Sequence, residues 1–192
     1  MIIGITGLIG SGKSTAASFL KTKGAKIIDA DKIGRDVVNN SKPLLNKLIK
    51  QFGKEIVNRS QKLNRKKLAE LAFKNKSSTN KLNKLVHPYL LKEIDNQLKK
   101  YKNSRCIVID AALLLNWKLD KITDFVLIIH AGQEIRYKRL AKKNINRADT
   151  RAREKAQLSY TQMKKKADRV ILNNKTESNL VKKLSHWLNS LP

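Results

Sequence analysis

Short apolar runs recur along the chain, each bounded by polar or turn-forming residues. They lie at residues 1–6, 26–29, 106–110, 125–129 and 170–172. Apolar runs without polar alternation are typical of strands in a parallel sheet covered on both faces. We therefore predict a parallel sheet of about five strands.

The segments between these runs carry apolar residues at helical spacing. The clearest stripe is the last one, formed by Leu180, Val181, Leu184, Trp187, Leu188 and Leu191. Strands alternating with such helices predict right-handed βαβ units and a three-layer α/β sandwich. Residues 41–100 show helical spacing and no convincing strand. We expect one domain over residues 1–192, with 1–36 and 104–192 as the core and about 37–103 as a helical insertion.

The charge of the chain allows three interpretations. Among 192 residues, Lys plus Arg number 42 and Asp plus Glu number 15, which gives a net charge of +27. Such a chain could bind nucleic acid, could carry a solvated basic surface, or could hold a small ligand bearing several phosphates. The lysines are spread over every predicted helix, and aromatic residues make up only 5 %. We therefore favour the solvated surface and do not expect a nucleic-acid partner.

Composition also bears on location. No apolar run reaches the ~18–20 residues of a membrane span, so we expect no membrane partner. The apolar N-terminus has no basic flank before it and does not match a signal peptide. Cys106 is the single cysteine and cannot form an internal disulfide. These features favour a cytoplasmic protein.

A phosphate-binding motif follows the first predicted strand. Residues 7–14 read Gly-Leu-Ile-Gly-Ser-Gly-Lys-Ser and match GxxxxGK[ST]. Glycines let the backbone bring its N–H groups to a phosphate, and the helix that starts near Lys13 adds its positive end. Lys13 can neutralise the β- and γ-phosphates, and the Ser14 hydroxyl can ligate Mg²⁺. A chance match in a chain of this length arises on the order of once in a hundred, so the motif predicts binding of a nucleoside triphosphate.

An acidic pair ends the second predicted strand. In a parallel sheet, we expect Asp29 and Asp31 at the same carboxyl edge as the phosphate-binding motif. Asp31 could accept the proton of an attacking hydroxyl, could bind Mg²⁺, or could only cap the following helix. Arg35, one turn further along, could pair with Asp31 or bind a substrate phosphate. Asp110 could likewise hold Mg²⁺ through water or cap a turn.

Nearly the whole chain resembles one kinase family. The residues that carry the resemblance are Thr6 to Thr15, Asp29-Ala30-Asp31 with Arg35, Phe52-Gly53, Asn64-Arg65 with Leu68, His87-Pro88, Ala112-Leu113-Leu114, Arg139, Arg153 with Gln157, Ala167-Asp168 and Asn173. In this order they are similar to the dephospho-coenzyme A kinases. The resemblance implies a P-loop kinase core, a helical substrate-binding insertion and a helical lid at about 142–166. It also implies transfer of the γ-phosphoryl of ATP to the ribose 3′-hydroxyl of dephospho-CoA, with Mg²⁺, as the final step of coenzyme A synthesis.

The resemblance also implies roles for individual residues. Asp31 is the expected base or hydroxyl-orienting group, and Lys13, Asp31 and Arg139 are the expected catalytic residues. ATP contacts are expected from Gly10, Ser11, Gly12, Lys13, Ser14, Thr15, Arg139, Arg153 and Asn173, with Ser14 on the metal. Arg139 and Arg153 are expected at the lid, and Asn173 near the adenine. Dephospho-CoA contacts are expected from Asp29, Asp31, Arg35, Arg65 and His87.

Three positions depart from the family pattern. Asn83 and Asn116 stand where relatives often carry Glu, and Lys143 stands where a second lid arginine is expected. A lysine lacks the planar two-pronged contact of an arginine. These departures bear on catalytic efficiency more than on reaction type.

Two alternative functions stay open. The nearest alternative is a P-loop kinase acting on a nucleoside or its monophosphate. The alternative from another class is a nucleic-acid-binding protein that uses ATP as a ligand.

Overall fold

The computed structural model describes residues 1–191. Within them, the structure contains five strands and nine α-helices. The strands are β1 (Ile2–Thr6), β2 (Lys26–Asp29), β3 (Ile107–Asp110), β4 (Phe125–His130) and β5 (Arg169–Leu172). The helices are α1 (Lys13–Thr22), α2 (Ala30–Asn40), α3 (Lys42–Phe52), α4 (Arg65–Ala72), α5 (Lys76–Lys100), α6 (Gln133–Ala141), α7 (Arg147–Lys155), α8 (Tyr160–Lys164) and α9 (Glu177–Asn189). Short 3-10 turns cover Lys54–Ile56 and Leu119–Ile122.

The strands form one parallel sheet in the order β2-β3-β1-β4-β5. The five apolar runs of the sequence are these five strands, so the predicted α/β fold is confirmed. β3 is buried along its whole length because both faces of the sheet are covered. β1 lies between strands that come later in the chain, and ligands of such sheets bind at the carboxyl edge where the order reverses.

The chain divides into two compact units, and the first contains the sheet. It comprises Met1–Asp29 and the chain from Tyr101 onward. Its core is formed by apolar side chains of the central strands, α1 and α9, including Ile3, Ile5, Leu20, Val108, Leu127, Ile129, Leu180 and Leu184. Trp187, a member of the apolar stripe of the last helix, is 5 % exposed and meets Phe125 edge-on with ring centroids 6.5 Å apart. This core fixes the strand ends that bear the site.

The second unit is Ala30–Lys100 and consists of α2 to α5 with the turn Lys54–Ile56. Its own apolar core contains Leu44, Leu48, Ile56, Leu68 and Ala72. Ser41 and Asn64 cap α3 and α4, each accepting a backbone N–H with its side chain. α5 continues through Pro88, although a proline removes one backbone hydrogen bond from a helix.

None of the helices in residues 1–191 is both long enough and apolar enough to cross a membrane. α5 has the length, with 25 residues, but lysines recur along it.

Candidate active site

The loop between β1 and α1 depends on backbone conformations that favour glycine. Gly10 has φ 80° and Gly12 has φ 101°, both in the left-handed region. A Cβ at Gly12 would lie 2.2 Å from Nδ2 of Asn173, so this position excludes a side chain on two grounds. The glycine spacing of the motif is thus required by the loop that the structure contains.

Three successive carbonyl groups of this loop are held by side chains from other elements. Arg136 donates to Ile9 O at 3.2 Å, and Arg139 donates to Gly10 O at 3.5 Å and Ser11 O at 3.4 Å. Asn173 donates to Ser11 O at 2.8 Å. In a trans peptide the C=O and the next N–H point in opposite directions. Anchoring these carbonyls therefore turns the N–H groups that follow Ile9 and Ser11 toward the opposite side of the loop, where an anion can bind.

Lys13 opens α1 and forms an ion pair with Asp110 at the end of β3. Both side chains are largely buried, with 15 % and 12 % exposed. Asp29, the last residue of β2, is the register partner of Asp110. A cation and two acidic residues thus lie at the carboxyl edge next to the phosphate-binding loop. Sequence reasoning offered Asp110 as a metal group or a turn cap, and the structure adds the ion pair with Lys13.

The oxygen groups around the loop suit a hard cation. Ser14 is exposed in the first turn of α1. Asp29 and Asp110 end the neighbouring strands β2 and β3. Within residues 1–191, no group of three or more His, Cys, Asp and Glu side chains could hold a metal by itself. Mg²⁺ commonly keeps several waters and binds through one or two protein oxygens and the substrate phosphates. A hydroxyl with nearby carboxylates fits that requirement.

Two further expected ATP residues meet at the loop. Nη2 of Arg139 donates to Asn173 O at 2.9 Å and to Lys175 O at 3.2 Å. Asn173 itself is buried. Arg139 lies on α6, ahead of the segment 142–166, and it donates to backbone carbonyls and, at 3.4 Å, to Oδ1 of Asn173. The two residues therefore brace the loop from one side.

The segment 142–166 is anchored to the sheet by a glutamine. Nε2 of Gln157 donates to Gly7 O at 3.2 Å and to Ala112 O at 2.8 Å. Nδ2 of Asn116 donates to Ala156 O at 3.4 Å, so this departure from the family pattern contacts the same segment. Arg153 is exposed in the last turn of α7, and Lys143 is exposed just after α6. The segment thus contacts the phosphate-binding loop through a side-chain hydrogen bond to a loop carbonyl.

The remaining predicted residues belong to the second unit. α2 begins at Ala30, so Asp31 lies inside the first turn and is not the N-cap. Nη1 of Arg65 donates to Oδ1 of Asn39 at 3.4 Å, and Asn39 is one turn beyond Arg35 on α2. The guanidinium of Arg65, the first residue of α4, therefore contacts the face of α2 that also carries Arg35.

Two other expectations concern α5 of the same unit. His87 is half-buried on that helix. Asn83, one turn earlier, is also half-buried.

Sequence reasoning missed the pair formed by Arg136 and Glu154. Arg136 is 4 % exposed and forms an ion pair with the Glu154 carboxylate on α7. Nearby, burial lowers the pKa of the His130 imidazole, and the charge of Arg136 lowers it further. His130 stacks on Tyr160 with ring centroids 3.7 Å apart. An arginine within a basic helix carries no local signal of burial, so no pattern in the sequence could have identified it.

Comparisons with known proteins identify the family of the chain. A family model described as dephospho-CoA kinase matches residues 1–179. The chain is 37 % identical over 192 residues to a dephospho-CoA kinase from Fusobacterium nucleatum, covering 100 % of this chain and 98 % of that protein.

Solved structures match the fold over nearly the whole chain. A crystal structure from Thermus thermophilus matches with a TM-score of 0.85 at 29 % identity, covering 100 % of this chain and 98 % of that one. A dephospho-CoA kinase from Campylobacter jejuni matches with a TM-score of 0.72 at 23 % identity, covering 98 % and 95 %. The second likeness is one of fold.

Proposed function

Because the chain belongs to the dephospho-CoA kinase family, we propose that it transfers the γ-phosphoryl of ATP to the ribose 3′-hydroxyl of dephospho-CoA, giving coenzyme A and ADP. The family match over residues 1–179 carries this proposal. The preformed phosphate-binding loop supports it, because such a loop is what a triphosphate donor requires. The cytoplasmic location predicted from the sequence stays a prediction.

The donor side of the reaction is assigned to the sheet-bearing unit. The N–H groups of Gly10, Gly12 and the first turn of α1 would bind the phosphates. The carbonyls of Ile9 and Ser11 are held by Arg136 and Asn173, so the N–H groups that follow them point the other way, toward the proposed phosphate site. Lys13 is oriented by Asp110 and would lie against the β- and γ-phosphates. Arg139 and Asn173 both donate to the Ser11 carbonyl. We propose that they contribute to ATP binding by holding the loop in this conformation.

The acceptor side is assigned to α2 and the helices around it. Asp31 would accept the proton of the attacking 3′-hydroxyl, or orient that hydroxyl, as the γ-phosphoryl leaves ADP. The transferred group passes through a loose transition state, so positioning and neutralisation of charge contribute more than covalent help from the protein. Arg35, Arg65 and His87 would bind the negatively charged dephospho-CoA, with Asp29 supporting Asp31 or the metal.

Mg²⁺ completes the proposed site. Ser14 would hold it through its hydroxyl, and Asp110 or Asp29 would reach it through water. The ion neutralises charge on the β- and γ-phosphates when bound. Lys13 and the loop N–H groups supply the remaining neutralisation from the chain itself.

The segment 142–166 is the proposed lid. Its exposed Arg153 would contact ATP phosphates on closure and help to exclude water, which would otherwise hydrolyse ATP. Gln157 attaches this segment to the loop at Gly7 O. Lys143, in place of an arginine, offers a point charge to the same region.

Purified protein incubated with ATP, Mg²⁺ and dephospho-CoA tests the assignment. ADP release should depend on dephospho-CoA, and a parallel panel of nucleosides and nucleoside monophosphates should give only background. Turnover of a nucleoside with none of dephospho-CoA would instead support the P-loop nucleoside kinase alternative.

A further inference from the structure

Arg136 occupies a position where arginines are rarely found. Its side chain is buried in the sheet-bearing unit, and buried charges of this kind are nearly always paired. Nε donates to Ala131 O at 3.1 Å and Nη1 donates to Ile9 O at 3.2 Å. Nη1 also forms the ion pair with Glu154. One guanidinium therefore joins the end of β4, the phosphate-binding loop and α7.

We propose that Arg136 and Glu154 are a positioning pair that couples the phosphate-binding loop to α7 and thereby raises the affinity for ATP. The inference rests on the proposed function in taking ATP as the ligand. Neither residue is assigned to touch the substrates. Arg136 acts through the Ile9 carbonyl, and Glu154 acts through the helix that bears Arg153.

The contact with Ile9 explains the effect on the loop. The Ile9 carbonyl points at Arg136, so the next N–H, that of Gly10, is turned the other way. Gly10 is also close to α6, where a Cβ would lie 3.0 Å from Arg136 O. Without the guanidinium, this peptide loses the partner that fixes its orientation, and the N–H cradle is less ordered before ATP binds.

The contact with Glu154 explains the effect on α7. Glu154 precedes the last residue of that helix and follows Arg153 directly. Oε2 of Glu154 also accepts from the Tyr137 hydroxyl at 3.5 Å, so the carboxylate is held by two side chains of α6. Fixing Glu154 restricts where the neighbouring Arg153 can lie relative to the loop.

A second ion pair also joins α6 and α7, and it lies at the surface. Holding these two helices together therefore does not require a buried pair such as Arg136 and Glu154. Arg147 on α7 pairs with Glu134 on α6 at 3.3 Å, and both side chains are about two-thirds exposed, at 67 % and 66 %. Burying charges costs desolvation, and an apolar pair often stabilises a fold as well as a buried ion pair does. The buried pair differs from the exposed one in its hydrogen bond to the loop.

The test replaces the pair by an apolar one. The Arg136→Met/Glu154→Leu variant should keep the melting temperature of the parent, because buried ion pairs can be exchanged for apolar residues. Its Kd for ATP, measured by titration calorimetry without acceptor, should rise roughly ten- to hundredfold, as for other small losses of positioning. KM for ATP should rise in parallel, and KM for dephospho-CoA should change less than about twofold. Arg136→Lys should give an intermediate Kd, since it retains the charge but not the fork.

Glu134→Gln is the matched control, and it should leave both the Kd for ATP and the melting temperature unchanged. A folded apolar variant with the ATP affinity of the parent overturns the inference and leaves the pair a matter of packing. If that variant does not fold, Glu154→Gln takes its place, and a parental Kd for ATP there overturns the inference as well. Because ATP binding is measured without acceptor, a parent that binds ATP but leaves dephospho-CoA unmodified contradicts only the proposed function.

Discussion

The ammonium of Lys13 is ion-paired with the carboxylate of Asp110, the residue that ends β3. The pair joins the first residue of α1 to the strand beside β1, so the lysine is oriented by the sheet as well as by its own helix. Preorganised charge of this kind lowers the reorganisation needed when a phosphate binds. Because Asp110 is the last residue of β3, its carboxylate lies at the carboxyl edge of the sheet, where a water-bridged cation would also lie.

Replacing Lys13 by alanine should reduce kcat/KM for ATP by about 10²–10³, the range typical of losing a charge-stabilising donor. The loss has two causes: the phosphates lose a cation, and the Asp110 carboxylate keeps its negative charge nearby. Steady-state kinetics measures the sum of the two effects. Lys21→Ala, on the last turn of the same helix, is the control and should match the parent.

The Lys13→Ala/Asp110→Asn variant separates the two causes. Calorimetry with ATP in the absence of Mg²⁺ isolates the charge repulsion from the proposed contact of Asp110 with the ion. Under this condition, removal of the carboxylate charge should recover part of the ATP affinity lost in Lys13→Ala. An identical Kd in the single and double variants would show that Asp110 does not act on the phosphates.

Asp31→Asn should leave the Kd for ATP nearly unchanged while lowering kcat by about 10²–10⁴, the contribution usual for a general base. Asp31 lies in the first turn of α2 and outside the phosphate-binding loop, which is why donor binding should survive. Asp36→Asn, an exposed change on the same helix, provides the comparison. Transfer at the parental rate would reduce Asp31 to a residue of the helix terminus.

Gly12→Ala should abolish tight ATP binding. The alanine must adopt φ 101°, and its Cβ would collide with Asn173 Nδ2, one of the groups that brace the loop. Gly24→Ala shares the positive φ, at 91°, but its Cβ would meet nothing within 4 Å. It should therefore lose stability by about 1–2 kcal/mol from backbone strain alone and keep its ATP affinity. Equal ATP affinities in the two variants would contradict the bracing role of Asn173.

The net charge of +27 leads to a prediction about nucleic acid. If the lysines are a dispersed, solvated surface, binding of a duplex or single-stranded oligonucleotide should be weak and should vanish near physiological salt, because nonspecific phosphate contacts are steeply salt-dependent. Fluorescence anisotropy across a salt series measures this. Affinity that persists at 150 mM salt would favour the nucleic-acid alternative.

Much of the sheet could be predicted because its information is local. Each strand is an uninterrupted apolar run, and the predicted strand bounds differ from the observed ones by about one residue. The GxxxxGK[ST] spacing likewise encodes a loop whose conformation depends on glycines within it. β1, the phosphate-binding loop and α1 can therefore be predicted from one short stretch of the sequence.

The bracing of the loop could not be predicted, because its partners are distant in sequence. Asn173 is 162 positions from Ser11, and Arg136 is 127 from Ile9. Arg136 sits in a helix whose neighbours are also basic, so its burial depends on how α6 packs on the loop and on Glu154. Asp110 similarly acquired its partner only through the pairing of β1 with β3.

The most direct test of the account is identification of the product formed from ATP and dephospho-CoA. Mass spectrometry with fragmentation should show coenzyme A carrying the new phosphate on the ribose 3′-hydroxyl, together with one ADP for each molecule formed. An unmodified dephospho-CoA pool in the presence of folded, ATP-binding protein, or phosphate found only on a nucleoside, would contradict it.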